Sequence, residues 1–206
     1  MQDIDNALAG ITDIRNQIAL GRMFRGFGPA VIALTGLFAT MLTTAQLLWP
    51  SALAATDMAL LGWWMFAAVL CVIIIGIEMF ALSRRFHGGL AGSMIANVVQ
   101  SFLPVGAAGA VIALILLMNA PALAWCLPGL WQILIAIGIF GSLKFLPKAV
   151  VFAGSWYFLA GSIVLLLGSQ NQSLSPLFMG IPFTVGQAVM ALILFKTLEV
   201  SQNGPR

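Results

Sequence analysis

Long apolar blocks separated by short polar breaks make up most of the chain. A helix needs roughly 20 apolar residues to cross the hydrocarbon core of a bilayer, and six blocks are about that long or longer. Only helices and closed barrels satisfy their own backbone polar groups in hydrocarbon. The pattern therefore predicts an all-α, six-helix transmembrane bundle over residues 28–199, followed by a short tail at residues 200–206. The six predicted spans cover approximately residues 29–48, 58–82, 90–118, 129–145, 149–168 and 176–198.

The second block gives the predicted bundle its orientation. It begins at Asp57, and it ends at Arg84 and Arg85. Lys and Arg concentrate in cytoplasmic loops, and Trp is enriched at membrane interfaces. With the amino terminus in the cytoplasm, all nine basic residues fall on the cytoplasmic side, and the outer loops carry one charged residue, Asp57. We therefore predict a multi-pass protein of the cytoplasmic (inner) membrane with both termini in the cytoplasm. Five tryptophans would then mark the outer interface: Trp49, Trp63, Trp64, Trp125 and Trp131.

Residues 1–27 have a different pattern from the apolar blocks. Ile4, Leu8, Ile11 and Ile18 recur at helical spacing, and polar residues occupy most of the remaining positions. This periodicity predicts an amphipathic helix that lies on the cytoplasmic surface of the membrane. The alternative is that the same isoleucine stripe packs against another subunit or a soluble cytoplasmic partner.

Composition agrees with a membrane protein and argues against a nucleic-acid partner. Hydrophobic residues make up 61% of the chain and charged residues 7%, whereas soluble domains carry about 25% charged residues. The net charge is +3, but the basic residues are spread over helix ends and form no basic face. We therefore expect contact with a lipid bilayer and no binding of nucleic acid.

Catalytic chemistry is disfavoured because the required side chains are missing. One histidine and six acidic residues, most of them at or beyond the predicted interfaces, assemble no Ser-His, paired-aspartate or metal centre. Cys71 lies within the second span and Cys126 in an outer loop, so their depths do not match and we expect two free thiols. The sequence predicts no enzyme, no metal site and no cofactor.

Glu78 is the one acidic residue within a predicted span. It lies six residues before Arg84, or roughly 9 Å deeper at 1.5 Å per residue. A carboxylate in the hydrocarbon costs about 2.5–3.5 kcal/mol on insertion scales, so it needs a partner or water. We predict a polar cavity that opens to the cytoplasm and is lined by Glu78, Asn97, Gln100 and Gln187. The alternative is an anchor, in which Arg85 or Lys144 neutralises the carboxylate.

Two prolines interrupt predicted spans. Pro104 and Pro182 each remove a helical hydrogen bond and should kink the third and sixth helices. Interrupted helices around a midplane site are a feature of secondary transporters. The leading hypothesis is therefore a transporter or channel for a small solute or ion. Its rival is a non-transporting accessory, scaffold or regulatory subunit that oligomerises or docks a partner.

Two further surfaces have predicted contacts. Arg84, Arg85 and His87 form a basic group beside the membrane, which should contact anionic lipid headgroups. Gly154, Gly161 and Gly168 follow one another at every seventh residue, so they lie on one side of the fifth helix. Small residues let helix backbones approach closely, and such Gly/Ala-rich faces could join copies of the chain in a homo-oligomer.

Overall fold

Six long helices form the protein. The computed structural model describes residues 27–87 and 91–203, and no strand occurs in these two ranges. The helices are α1 (Pro29–Leu48), α2 (Asp57–His87), α3 (Ala91–Asn119), α4 (Leu127–Gly141), α5 (Val151–Asn171) and α6 (Pro176–Asn203). Short helical turns at Pro50–Leu53, Pro121–Cys126 and Lys148–Val150 lie between them. Each span is long and apolar enough to cross a membrane, which confirms the all-α six-helix prediction and a multi-pass membrane protein.

The fourth helix ends earlier than the apolar pattern predicts. It stops at Gly141 rather than near residue 145, and the chain then turns. The Ser142 carbonyl accepts hydrogen bonds from the backbone of Phe145 and Leu146, each at 3.1 Å. Both of these side chains are buried in the core of the bundle. Burial of Phe145 and Leu146 thus replaces the last helical turn, although the sequence there remains apolar.

The helices form a ring. Each helix packs mainly on its two neighbours in chain order, and α6 closes the ring against α1. Neighbouring helices run antiparallel, as shown by contacts between Gly28 and Glu78 and between Gly129 and Gly161. The carboxyl ends of α2, α4 and α6 therefore lie together. These ends carry the basic residues Arg84, Arg85, Lys144, Lys148 and Lys196, so the described bundle has one basic end.

The glycines on α5 are used within the chain. A Cβ added to Gly161 would lie 2.7 Å from the carbonyl oxygen of Gly129, and one added to Gly154 would lie 2.6 Å from the ring of Phe140. Gly168 faces Trp125 in the same way. The predicted close approach of helices thus occurs between α5 and its own neighbours. This stripe is covered and is not open to a second copy.

Aromatic side chains fill the middle of the ring. Trp64 from α2 stacks on Phe183 from α6 with ring centroids 6.0 Å apart, and Tyr157 from α5 meets Phe183 edge-on at 5.7 Å. Trp64 is only 5% exposed, so its predicted place in an interfacial belt is wrong. The indole N–H is satisfied internally, by Gln46, and this allows burial. Its neighbour Trp63 is 42% exposed.

The outer surfaces of α2 and α3 are the most open parts of the ring. Little of either span is buried inside the chain, in contrast to α1, α4 and α5. Large apolar side chains on these two surfaces are more than half exposed: Phe66, Val69, Val72, Ile73, Ile77, Phe80, Leu103, Val111, Leu114, Ile115 and Met118. Such surfaces suit contact with the acyl chains of a bilayer.

Candidate functional site

Glu78 caps the first turn of α1. The Gly28 N–H donates to Glu78 Oε2 at 3.1 Å, and α1 begins at the next residue, Pro29. The first turn of a helix has N–H groups without helical partners and carries a partial positive charge, so a carboxylate is stabilising there. No side chain from the residue preceding α1 provides this cap, because that residue is glycine. The acid predicted to line a cavity therefore has a partner in the fold, which is the backbone of α1.

Gln187 and its neighbours lie at the contact between α6 and α1. A Cβ added to Gly36 would lie 2.9 Å from the Cβ of Gln187, so the two helices approach closely there. One turn along, Thr40 and Thr184 share a hydrogen bond of 2.9 Å between their hydroxyl oxygens. Gln187 also lies beside the Tyr157 hydroxyl, but the geometry does not make a hydrogen bond.

Asn97 and Gln100 lie on α3, away from the other two predicted cavity residues. The Asn97 carbonyl accepts a hydrogen bond of 3.2 Å from the Ser101 hydroxyl, and the Asn97 side chain is half-buried. Gln100 is exposed on the outside of the ring. Within the described residues, no hydrogen bond joins any two of Glu78, Asn97, Gln100 and Gln187. Their shared cavity stays a prediction.

Both helices that contain an interior proline continue through it. At Pro182 the missing N–H leaves the Phe178 carbonyl without its helical donor. The Gln132 side chain, which is fully buried, supplies the replacement from α4: its Nε2 donates to that carbonyl at 2.7 Å. The Trp156 indole donates to the Pro182 carbonyl at 2.9 Å. The break in α6 is therefore satisfied by side chains of the two helices beside it.

Gln46 holds together the opposite part of the bundle. Its Oε1 accepts a hydrogen bond of 3.0 Å from the Trp64 indole, and its Nε2 donates to the carbonyl of Leu60 at 3.2 Å. The same Nε2 lies 3.4 Å from the carbonyl of Leu53. This one amide thus links α1 to the start of α2 and to the connection between them.

The sequence analysis missed both of these glutamines. Each is a single amide within an apolar block, and nothing in the local pattern separates a buried amide from one at a helix surface. One signal was available for Gln132, because the proline in α6 requires a donor from elsewhere. Which amide supplies that donor depends on the order of the helices in the ring.

A few buried polar atoms have no hydrogen-bond partner within the described part of the chain. They are Ser83 Oγ, Trp125 Nε1, Gln132 Oε1 and Tyr157 Oη. Tyr157 is 2% exposed and its hydroxyl lies against Gly186 on α6. Unsatisfied buried groups are rare in native structures and are often places where water or a ligand binds.

The basic end contains the residues predicted to touch lipid headgroups. Arg84 and Arg85 are exposed there, and the Arg84 guanidinium lies 4.5 Å from the centre of the Phe80 ring. The side chain of His87 lies outside the described residues, as does the predicted amphipathic helix up to residue 26. Contact with anionic headgroups stays a prediction.

Metal-ligating side chains do not cluster within residues 27–87 and 91–203: no three His, Cys, Asp or Glu residues come together there. Cys71 and Cys126 are both free and half-buried, as predicted. Comparison with protein-family models, curated proteins and solved structures found no match to this chain.

Proposed function

We propose that this protein is a non-transporting accessory subunit, which acts by associating with other proteins in the plane of the membrane. The observation that carries this proposal is the aromatic layer of Trp64, Phe183 and Tyr157 across the middle of the ring. Leu61 is fully buried beside Trp64 and adds to the same layer. Packed rings at the centre of a bundle oppose the passage of solutes.

The polar residues that suggested a solute path have other roles in the fold. Glu78 caps α1, and Gln132 satisfies the carbonyl that Pro182 leaves free. Such groups are expensive to bury in a membrane unless they are paired, and pairing within the fold accounts for their presence. Two of the features that favoured a transporter thus also fit a bundle that carries nothing.

The outer surfaces of α2 and α3 support association as the activity. They are broad, apolar and little covered by the rest of the chain. α3 also presents an amide, Gln100, toward the surroundings of the ring. Helices in membranes associate through packing and interhelical hydrogen bonds, and both kinds of contact are available on this side.

Site-specific photo-crosslinking in native membranes tests the proposal. A photoreactive residue at Ile73 on α2, which is 53% exposed, should give a protein adduct of defined mass. The matched control is Phe158 on α5, which is 46% exposed and should give no such adduct. Absence of a protein adduct from both positions would contradict an accessory role.

Transport of a small solute or ion is the second candidate, favoured by the unpartnered Gln132 Oε1 and Tyr157 Oη inside the ring. Proteoliposomes separate the two functions, with K⁺, H⁺, Cl⁻ and glycerol as the tested solutes. An accessory subunit should give the flux of protein-free liposomes. Saturable flux that is lost in Gln187→Leu but kept in the control Gln170→Leu, with both variants folded, would establish transport instead. Gln170 is exposed at the end of α5 and serves as the matched amide.

A further inference from the structure

One side of α3 has the spacing of a helix-pairing seam. Its exposed positions follow one another at intervals of four, three, four, three and four residues: Ala96, Gln100, Leu103, Ala107, Ala110 and Leu114. This repeat of 3.5 residues is that of left-handed helix pairs. The opposite side of α3 packs on the bundle through Val98, Gly109 and Ala113, all of them buried. The seam therefore faces directly away from the chain's own helices.

Gln100 is the polar residue of this seam. It lies five residues, or about 7.5 Å, beyond Ile95, where the apolar span begins. Its side chain is exposed and makes no hydrogen bond to any described residue. Its backbone carbonyl also lacks the usual helical donor, because Pro104 four residues later has no N–H. Hydrocarbon offers no hydrogen bonds, so these groups favour a protein partner.

We propose that α3 pairs with α3 of a second copy, with the two Gln100 amides hydrogen-bonded to each other across a two-fold axis. Copies of a membrane protein insert in the same direction, so their α3 helices run parallel and their Gln100 side chains lie at equal depth. A two-fold axis then places each residue opposite its own equivalent. A primary amide has both donors and an acceptor, so two identical amides are complementary.

Small residues on both sides of Gln100 fit this arrangement. Ala96 lies one turn before it and Ala107 two turns after it on the same seam. Small side chains allow the backbones to approach, and a close approach is needed for the amides to meet. An unrelated helix would need its own donor and acceptor at the same depth, whereas a second copy has them by symmetry. This inference rests on the proposed function, because it names the partner that the accessory role requires.

Energy transfer between donor-labelled and acceptor-labelled copies in liposomes tests the pairing. The dissociation constant, measured as protein is diluted in lipid, should rise about tenfold in Gln100→Leu, since membrane hydrogen bonds of this kind contribute about 1–2 kcal/mol. Gln100→Asn, which keeps the amide, should retain part of the affinity. Gln170→Leu is the control and should leave it unchanged. Gln100 has no partner within the described chain, so Gln100→Leu should melt at the same temperature as the wild type.

Oxidative cross-linking gives a second measurement that does not depend on affinity. In a chain with Cys71→Ser and Cys126→Ser, a cysteine at Ala107 should form a disulfide with its own equivalent, and a cysteine at Phe158 on α5 should not. Equal dissociation constants for wild type and Gln100→Leu, together with no cross-link from Ala107→Cys, would overturn the pairing. If the photo-crosslink from Ile73 to a different protein persisted, the accessory role would stand without the dimer. Loss of both would remove both proposals.

Discussion

The contact between Glu78 and Gly28 predicts a specific failure of additivity. Glu78→Ala removes the acceptor of the Gly28 N–H, and Gly28→Ala places a methyl group where the carboxylate lies. A Cβ at residue 28 would be 2.7 Å from the carboxyl carbon of Glu78, so the carboxylate must move. Either substitution therefore breaks the same cap of α1, and breaking it twice should cost no more than breaking it once.

The structure sets the size of each effect. Helix caps contribute about 0.5–2 kcal/mol, and a charge at a partly buried helix end contributes up to about 2 kcal/mol. Glu78→Ala should thus lower the free energy of unfolding by about 1–2 kcal/mol. Glu78 stays in the membrane in both states when the helices remain inserted, so its cost of insertion cancels.

The backbone of Gly28 decides the outcome of the double variant. Its φ of −81° and ψ of 130° are ordinary for any residue, so alanine adds no backbone strain there. Alanine also restricts the unfolded chain, which is worth about 0.4–1 kcal/mol in favour of folding. In a chain that already has Glu78→Ala, the additional Gly28→Ala should be neutral or stabilising.

Equilibrium unfolding in mixed micelles, followed by tryptophan fluorescence, measures all four proteins of this cycle. Gly76→Ala is the matched control, because a Cβ on Gly76 meets nothing within 4 Å. A double variant about 1 kcal/mol less stable than Glu78→Ala would show that the two sites are independent. That result would refute the assignment of Glu78 as the cap of α1.

Two further substitutions test the packing of the ring in the same unfolding assay. Gly161→Ala should cost about 1–3 kcal/mol because its methyl group meets a carbonyl oxygen of α4, which cannot move aside, whereas Gly62→Ala, with open space around it, should cost nothing; equal effects would contradict the close packing of α5 on α4. Trp64→Phe should cost about 1–3 kcal/mol because it leaves the buried Gln46 Oε1 without a donor, and Trp63→Phe should change stability much less, since Trp63 faces outward; the reverse order would mean that Trp64 is not the inner tryptophan.

The candidate site was only partly accessible from the sequence. Glu78 was identified correctly as an acid that needs a partner, because that requirement follows from hydrocarbon alone. Its partner is a backbone N–H fifty residues earlier in the chain, and no side-chain pattern announces such a donor. Arg85 and Lys144, which the pattern offered as partners, were chosen by charge, whereas the cap depends on where α1 begins.

The sequence by itself determined the number, type and approximate bounds of the spans. Backbone groups in hydrocarbon must bond within their own segment, so each span is a local decision that its own residues make. The end of α4 was an exception, because the burial of Phe145 and Leu146 against other helices shortened it.

Only the tertiary structure decided which faces of the helices meet. An apolar block reads the same whether a side chain faces lipid or another helix, since both surroundings are apolar. For this reason Trp63 and Trp64, adjacent and identical in the sequence, have opposite positions in the structure. Gln46, Gln132 and Gln100 are likewise the same residue in similar blocks, yet the first two hold the ring together and the third faces outward. The order of helices around the ring, which no single span contains, makes that difference.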